Sequence, residues 1–495
     1  MKKILTLLLA FTLSFSSCKD FLTIVPSDAL FLEDVQALKQ TLGAWLTNYN
    51  SGGTATYSGG PSPWASLGYN SKYAAYSDVF NFNNWSAKES LTDTEKRQFA
   101  RLLTSNSEWA AFYAIIGHMN LILNEIDKAV GEDDMRNYVK GEALIHRANG
   151  FFKLLQCYAP MDDATMGIPV YLDTYGGFDA ADLSRQHQRV VFNQILGDLQ
   201  EAERLLGITP PRSSYNMAYS YDYVYRIRSQ VYLWKASGPV AENDDWANAA
   251  RAAEAAIERT GNALPWDVDK LSSSLFGAGS GTSPSHTSIY PEGLYTTSAG
   301  LLAVITYNFG YDLNLWKTLY KSNDRRKYLW FGVTQGRDPE AVLATDLDPL
   351  QKRRGFGFMF SRAHARVYYR LNEQYLILAE AYAHTDFEKG KELLKRWQSV
   401  RYSLPESDWY VPTSQEDLLE EVLRERKREF VNEGDLHWFD MKRLGVTDSG
   451  RDLGIFKALP LESDDFRYSF MVPTSETETN TGIKQNPRWM DYLVL

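Results

Sequence analysis

Apolar residues recur at intervals of three and four through most of the chain, the spacing that gathers them on one face of an α-helix. Between 107 and 129, Trp109, Tyr113, Ile116, Asn120, Leu123 and Ile126 share a face, and 134–158 continues with Ala143, Arg147, Phe151, Leu155 and Tyr158. A further pair of helices is predicted over Val190–Leu206 and Ala218–Ala236, the second aligning Val224, Ile227, Val231 and Trp234. The alanine-rich stretch Asp244–Arg259 brings Trp246, Ala250, Ala253 and Ile257 together. Later in the chain Leu371, Tyr375, Leu378 and Tyr382 line one helix, and Leu393, Trp397 and Val400 its follower. Ser414 with Asp417 offers an N-terminal cap for a helix running to about Glu433.

The expected fold class is therefore mainly α. Large–small alternation such as Leu378-Ala379-Glu380-Ala381-Tyr382-Ala383 is similar to tetratricopeptide units, where small residues let neighbouring helices approach. No strict 34-residue period holds, so a plain α-bundle is the alternative. Two stretches break the helical pattern. Asn50 to Trp85 is irregular and aromatic, and Leu264 to Ala365 is rich in Ser, Gly and Thr around Ser272–Gly300. The expected division is a repeat scaffold over about 93–260 and 366–445, with variable, ligand-facing segments over about 50–92 and 264–365. Loops on a rigid scaffold are where binding residues concentrate.

The first residues carry no scaffold pattern. Lys2 and Lys3 precede an apolar run from Ile4 to Leu13, and small Ser16 and Ser17 lead into Cys18. This is the layout of an export signal, and ten apolar residues are too few to cross a bilayer, which takes about 20. A signal ending on small residues before a cysteine is similar to a bacterial lipobox, with Phe15 where leucine is commoner. The expectation is a signal peptide over 1–17, lipidation at Cys18, and a mature unit over 18–495. An ordinary secretory signal with an incidental cysteine is the alternative. No later stretch reaches transmembrane length, so lipid is the expected membrane attachment. Cys157, in an apolar helical segment, is expected to be a buried core thiol.

The whole chain has 52 basic and 62 acidic residues, and Lys2 and Lys3 leave with the signal, so the mature formal charge is 50 − 62 = −12. That balance provides no basic face for nucleic acid. No H-E-x-x-H, C-x-x-C or G-x-S-x-G occurs among these residues. Gly277-Ala278-Gly279-Ser280-Gly281 lacks the lysine and helix of a phosphate loop and reads as a linker. Asp162-Asp163 and Asp464-Asp465 could hold a hard cation, but without the spacing of a dedicated loop they read as solvated turns. No catalytic residue, cofactor or metal is therefore expected.

Several segments, taken in order, resemble the SusD/RagB family of outer-membrane nutrient-binding lipoproteins. Cys18-Lys19-Asp20-Phe21-Leu22 with Pro26 is similar to the family's start. Gly141 to Ala148, Phe151-Phe152 and Gly167-Ile168-Pro169 resemble its early helix and following turn. Asn323-Asp324-Arg325-Arg326 resembles a short landmark in which proline commonly stands at the place of Arg325. Tyr369 to Ala381 resembles its central repeat helix. Arg426 to Phe430 with Glu433 to Arg443 is the most distinctive match, and Val472-Pro473, Glu476, Asn480 and Gln485-Asn486-Pro487 complete the set. Within it Arg428, Glu429, Trp438 and Asp440 are expected to lock two helices through buried charge-assisted hydrogen bonds rather than form an active site.

The resemblance implies a surface-exposed, lipid-anchored glycan-binding protein that delivers its oligosaccharide to a SusC-like TonB-dependent outer-membrane transporter. Relatives handling peptides or glycoprotein fragments keep that ligand class open, and a surface glycoside hydrolase is the rival from another class. From the residues themselves, the ligand candidates are aromatics in the non-repeat segments, whose flat faces match sugar rings. They are Trp64, Tyr69, Trp85, Tyr290, Tyr295 and Trp316, beside polar Asn70, Asp78, Asn83 and Asn84.

Overall fold

A computed structural model describes residues 32–50, 56–57, 60–61, 107–173, 182–212, 215, 219–262, 294–297, 318–321, 323–326, 331–333, 356–358, 365–403, 405–430, 434–451, 459–461, 463, 465–480 and 482–486. The helices are α1 (Val35–Asn50), α2 (Ser107–Glu125), α3 (Asp133–Tyr158), α4 (Gln188–Gly207), α5 (Tyr221–Ala236) and α6 (Asp245–Glu258). After them come α7 (Leu371–Thr385), α8 (Phe387–Ser399), α9 (Gln415–Phe430), α10 (Gly434–Arg443) and α11 (Thr474–Thr479). The described strands are short: β1 (Thr56–Tyr57), β2 (Gly60–Pro61), β3 (Leu294–Thr297), β4 (Phe331–Val333), β5 (Phe356–Phe358), β6 (Ala365–Tyr368), β7 (Asp448–Arg451) and β8 (Leu459–Leu461). They form four antiparallel ladders, β1–β2, β3–β6, β4–β5 and β7–β8.

The fold is mainly α, a tetratricopeptide-like succession in which each of α3 to α7 packs on the helix before it and α7 then packs on α8 and α9. The periodic faces read from sequence are the buried ones. Trp109, Ile116, Asn120, Phe151, Leu155, Tyr158, Val224, Ile227, Val231 and Trp234 are all buried, as are Tyr375, Leu378 and Trp397. Gly150 shows why a small residue is needed inside α3: a Cβ there would lie 3.0 Å from Ile116 Cγ1 on α2. Caps set the helix starts. Ser414 Oγ accepts from Asp417 N at 3.1 Å ahead of α9, and Asp386 Oδ1 accepts from Lys389 N at 3.2 Å ahead of α8. Cys157 is buried in the core, as expected.

Three differences from the sequence reading have physical causes. Helix α1 was not anticipated; Val35, Leu38 and Leu42 give it one buried turn-by-turn row, and it packs on α3. The strand β3 lies inside the Ser/Gly/Thr-rich stretch and is stabilised by pairing with β6, some seventy residues on, a partner no local pattern announces. Helices α6 and α7 pack on each other although residues 259–370 separate them in sequence. Trp246 of α6 stacks on His384 of α7 with ring centroids 3.8 Å apart and planes 15° from parallel, and Tyr382 donates to Glu254. The larger variable segment is thus an excursion from within one helix pair.

Candidate functional site

Of the expected ligand residues, Trp64, Tyr69, Asn70, Asp78, Asn83, Asn84, Trp85, Tyr290 and Trp316 lie outside the described residues, as does Cys18. Tyr295 lies on β3, opposite Val367 of β6. That strand leads through Tyr369 and Arg370 into α7, so the backbone bearing Tyr295 is tied to the array where the excursion re-enters it. Tyr369 takes a left-handed φ of 59°, a conformation that costs a bulky residue of order 1–3 kcal/mol. Its surroundings hold it there: the hydroxyl donates to Asn149 Oδ1, the carbonyl accepts from Arg226 Nη1 at 2.7 Å, and the ring meets Tyr223 edge-on.

The excursion is also fixed near its middle. Arg326 is fully buried, and its Nη2 donates to Asp324 Oδ2 at 2.8 Å and to Glu425 Oε2 at 2.7 Å, with Nη1 reaching Glu429 Oε2 at 3.2 Å. Arg401 pairs with both oxygens of Glu429 at 3.0 Å and lies over the Trp397 ring. Arg428 donates to Glu421 at 2.9 Å, to Glu425 at 2.7 Å and to the Leu319 carbonyl at 2.8 Å. Trp397 Nε1 and the Tyr402 hydroxyl complete the donors on Glu425. Beside this network Asp440 accepts from Arg426 and Arg443, and Arg443 also grips Glu380. The expected lock through Arg428, Glu429 and Asp440 is present, and it is wider than the motif. Arg326, Arg401, Trp397 and Tyr402 belong to it; of these the sequence had singled out Arg326 within Asp324-Arg325-Arg326 and Trp397 as a helix-face residue, and neither as a partner of the motif.

This cluster is unsuited to catalysis. Burial alone would raise the Glu429 carboxyl, but the Arg401 and Arg326 guanidiniums overcome it and hold it at about 2. Glu425 is likewise held low against its own burial by Arg326 and Arg428. A glycosidase acid needs a raised pKa and access to the substrate, and these carboxylates are ionised, enclosed and paired. Of the acidic doublets, Asp163 Oδ1 accepts from the backbone and hydroxyl of Thr165, as in a turn, whereas Asp464 lies outside the described residues and the Asp465 side chain is not solvated but buried and clamped by Arg467. Among the described residues no group of three or more His, Cys, Asp or Glu side chains is placed to share a metal ion.

Two of the concavities on the described surface lie on the helical array. One, about 410 Å³, lies across α4, α5 and α6 and is lined by Glu203, Tyr225, Arg228, Tyr232 and Arg251 among others; its central charge is already spent in the Arg228–Glu203 pair at 2.6 Å. The other, about 420 Å³, lies between α2, the turn after α3 and the C-terminal segment. Its apolar side carries Trp109, Tyr113, Ile116, Pro169 and Ile483, and its polar side Asn120, Asp173, Glu476 and Asn480. The walls are pinned. Tyr113 donates its hydroxyl to Pro169 O at 2.8 Å, Asn120 Nδ2 to Tyr171 O at 2.9 Å, and Asn480 Nδ2 to Leu183 O at 2.8 Å. Sequence reading placed Trp109, Tyr113 and Asn120 on a core face and Glu476 and Asn480 in a tail motif, and nothing in their spacing said that the two would meet.

Known proteins match at two levels. A SusD-like family described as starch-binding and associating with outer membrane matches residues 45–233, and the SusD family, SusD/RagB, matches 357–489. Solved structures of similar fold include a SusD-like carbohydrate binding protein of Bacteroides vulgatus, with TM-score 0.64 and 19% identity over 93% of this chain and 99% of that one. A SusD superfamily protein of Bacteroides thetaiotaomicron gives TM-score 0.63 and 20% identity over 92% and 100%. A SusD-like protein of Bacteroides fragilis gives 0.64 and 15% over 94% and 99%. No curated protein sequence matches the chain.

Proposed function

The chain belongs to the SusD/RagB family, and we propose from that premise that it captures an oligosaccharide at the bacterial surface and passes it to a SusC-like TonB-dependent outer-membrane transporter. The observation that carries this reading is the pair of family matches, one to a family described as starch-binding and associating with outer membrane, on a helical array of the matching fold. Lipid on Cys18 anchors the protein, facing outward, and no helix among the described residues is long and apolar enough to cross a membrane. The unit over 18–495 uses its repeat scaffold as a frame, and the segments over about 50–92 and 264–365 supply the ligand contacts. Trp64, Tyr69, Trp85, Tyr290, Tyr295 and Trp316 stack on sugar rings while Asn70 and Asp78 meet hydroxyls. The protein holds its ligand without cleaving it, and the burial of the Glu425–Glu429 cluster supports that.

A glycan array read beside a peptide library tests the ligand class. Glycan binding that falls by about 1–3 kcal/mol in Trp64→Ala, Trp85→Ala, Tyr290→Ala or Trp316→Ala, with unchanged melting, is expected for central contacts. Peptide capture without glycan capture, or shortened glycan products after incubation, overturns the reading.

A further inference from the structure

We infer that Tyr369 is a positioning residue for the ligand-facing strands, a buried joint that sets the direction in which β6, and β3 with it, leaves the helical array. The inference rests on the reading above, in which the segment over about 264–365 supplies ligand contacts, and it concerns buried residues of the array rather than those contacts.

Strand β6 is extended to Tyr368 and α7 begins at Leu371, so residues 369 and 370 make the whole corner between them. Arg370 keeps an extended backbone, with φ −66° and ψ 153°, and the turn falls on Tyr369 at φ 59°. That left-handed region is a poor one for a bulky side chain and persists only where the surroundings hold it. Released, the residue would relax to negative φ, and β6 would swing with it, because rotation about one backbone bond moves all the chain beyond. β3 follows β6: the ladder sets Leu294 opposite Tyr368 and Tyr295 opposite Val367. One backbone angle in the array therefore aims the strand pair that carries a candidate contact.

The holds on that angle come from two helices. The Tyr369 hydroxyl donates to Asn149 Oδ1 on α3, and its carbonyl accepts from Arg226 Nη1 on α5 at 2.7 Å. Its ring meets those of Tyr223 and Tyr219 edge-on, with centroids 5.9 and 6.2 Å away. The holding groups are themselves fixed. Asn149 Nδ2 donates to the Tyr219 hydroxyl at 3.3 Å, and Tyr219 N donates to Glu142 Oε1 on α3 at 3.0 Å. The Arg226 guanidinium lies over the Tyr223 ring, 5.4 Å from its centroid. Tyr369, Asn149, Arg226 and Tyr219 are all buried, so the bonds form in a low dielectric and are shielded from competing water. A hydroxyl and a carbonyl on either side of the turn are thus tied to different helices, and rotation of the joint breaks at least one of them.

Hydrogen exchange on the full chain without ligand, read beside the glycan array, tests this. Tyr369→Phe keeps the ring and removes the hydroxyl bond, and Asn149→Ala removes its acceptor. Each should speed exchange of the β3 and β6 amides about tenfold, the loss of one buried hydrogen bond, while α4 and α6 keep their protection. The double variant should go no further than either single one, because both remove the same bond. Every glycan that wild type retains on the array should be bound about tenfold more weakly by both variants, as expected if the strands lose their aim. Strands protected as in wild type overturn the joint, and so does exchange raised equally across α4 and α6, which is general loosening. Loosened strands with unchanged glycan affinity overturn the positioning role and leave the proposed function standing. No glycan retained by wild type overturns the proposed function, and exchange then still decides whether Tyr369 aims the strands.

Discussion

Trp438 is 1% exposed, and its ring lies 4.8 Å from that of Tyr468. Truncation to alanine there leaves a large cavity in the main core, and Trp438→Ala is expected to cost about 3–5 kcal/mol in chemical denaturation. A normal unfolding curve with selective loss of ligand binding would instead move this residue from the frame to the site. The Glu429 carboxyl makes a second residue-scale prediction, in pH. Its folded pKa, about 2, lies below the ordinary carboxylate value, so the stability it contributes is complete above the unfolded pKa. That stability is lost as pH falls from about 4.5 towards 2. Glu429→Gln should flatten the fall in melting temperature over that window, and an unaltered acid limb would show that the pair with Arg401 and Arg326 carries none of it. At this scale the sequence revealed which residues were unusual, such as Arg428, Glu429 and Trp438. It could not reveal that Arg326 meets Glu425, about a hundred positions away, because that partnership exists only once the excursion has docked on α9.

Gly167 shows what an element boundary can demand of one residue. A Cβ there would sit 2.3 Å from the Gln186 carbonyl, and that carbonyl accepts from Gly167 N at 2.9 Å, so neither strand of the turn can give way without breaking the bond. Gly167→Ala should destabilise by about 1–3 kcal/mol, read by thermal melting, through displacement of the chain between α3 and α4. A melting temperature equal to wild type would mean that the turn has slack. The helices were legible because burial on one side of a 3.6-residue repeat leaves a trace in the local sequence, as Val224, Ile227, Val231 and Trp234 do on α5. Among its described side chains, helix α1 has Val35, Leu38 and Leu42 as a fully buried row. The β3–β6 ladder depends on a distant partner. The two sides of the α2 cleft reach one another from opposite ends of the chain, and no window of sequence contains both Tyr113 and Glu476.

For the whole molecule, the anchor and the acidic balance go together. A chain cleaved ahead of Cys18 would carry a net charge of −12 and gain nothing from anionic headgroups, so the proposed lipid on Cys18 would have to carry the attachment. Cys18→Ala is therefore expected to abolish labelling by a lipid analogue and to release the protein from the membrane fraction, and retained labelling would remove Cys18 as the anchor. The pairing of α6 with α7 across residues 259–370 bears on how the molecule comes to exist at all. Contacts so remote in sequence raise the contact order of a helical array that would otherwise fold from near neighbours, and they slow its completion. At about 5–20 residues per second α7 leaves the ribosome several seconds or more after α6. Until it arrives, the side of α6 that α7 covers stays open in the nascent chain, with α5 alone packed against Ala250, Ala253 and Ile257.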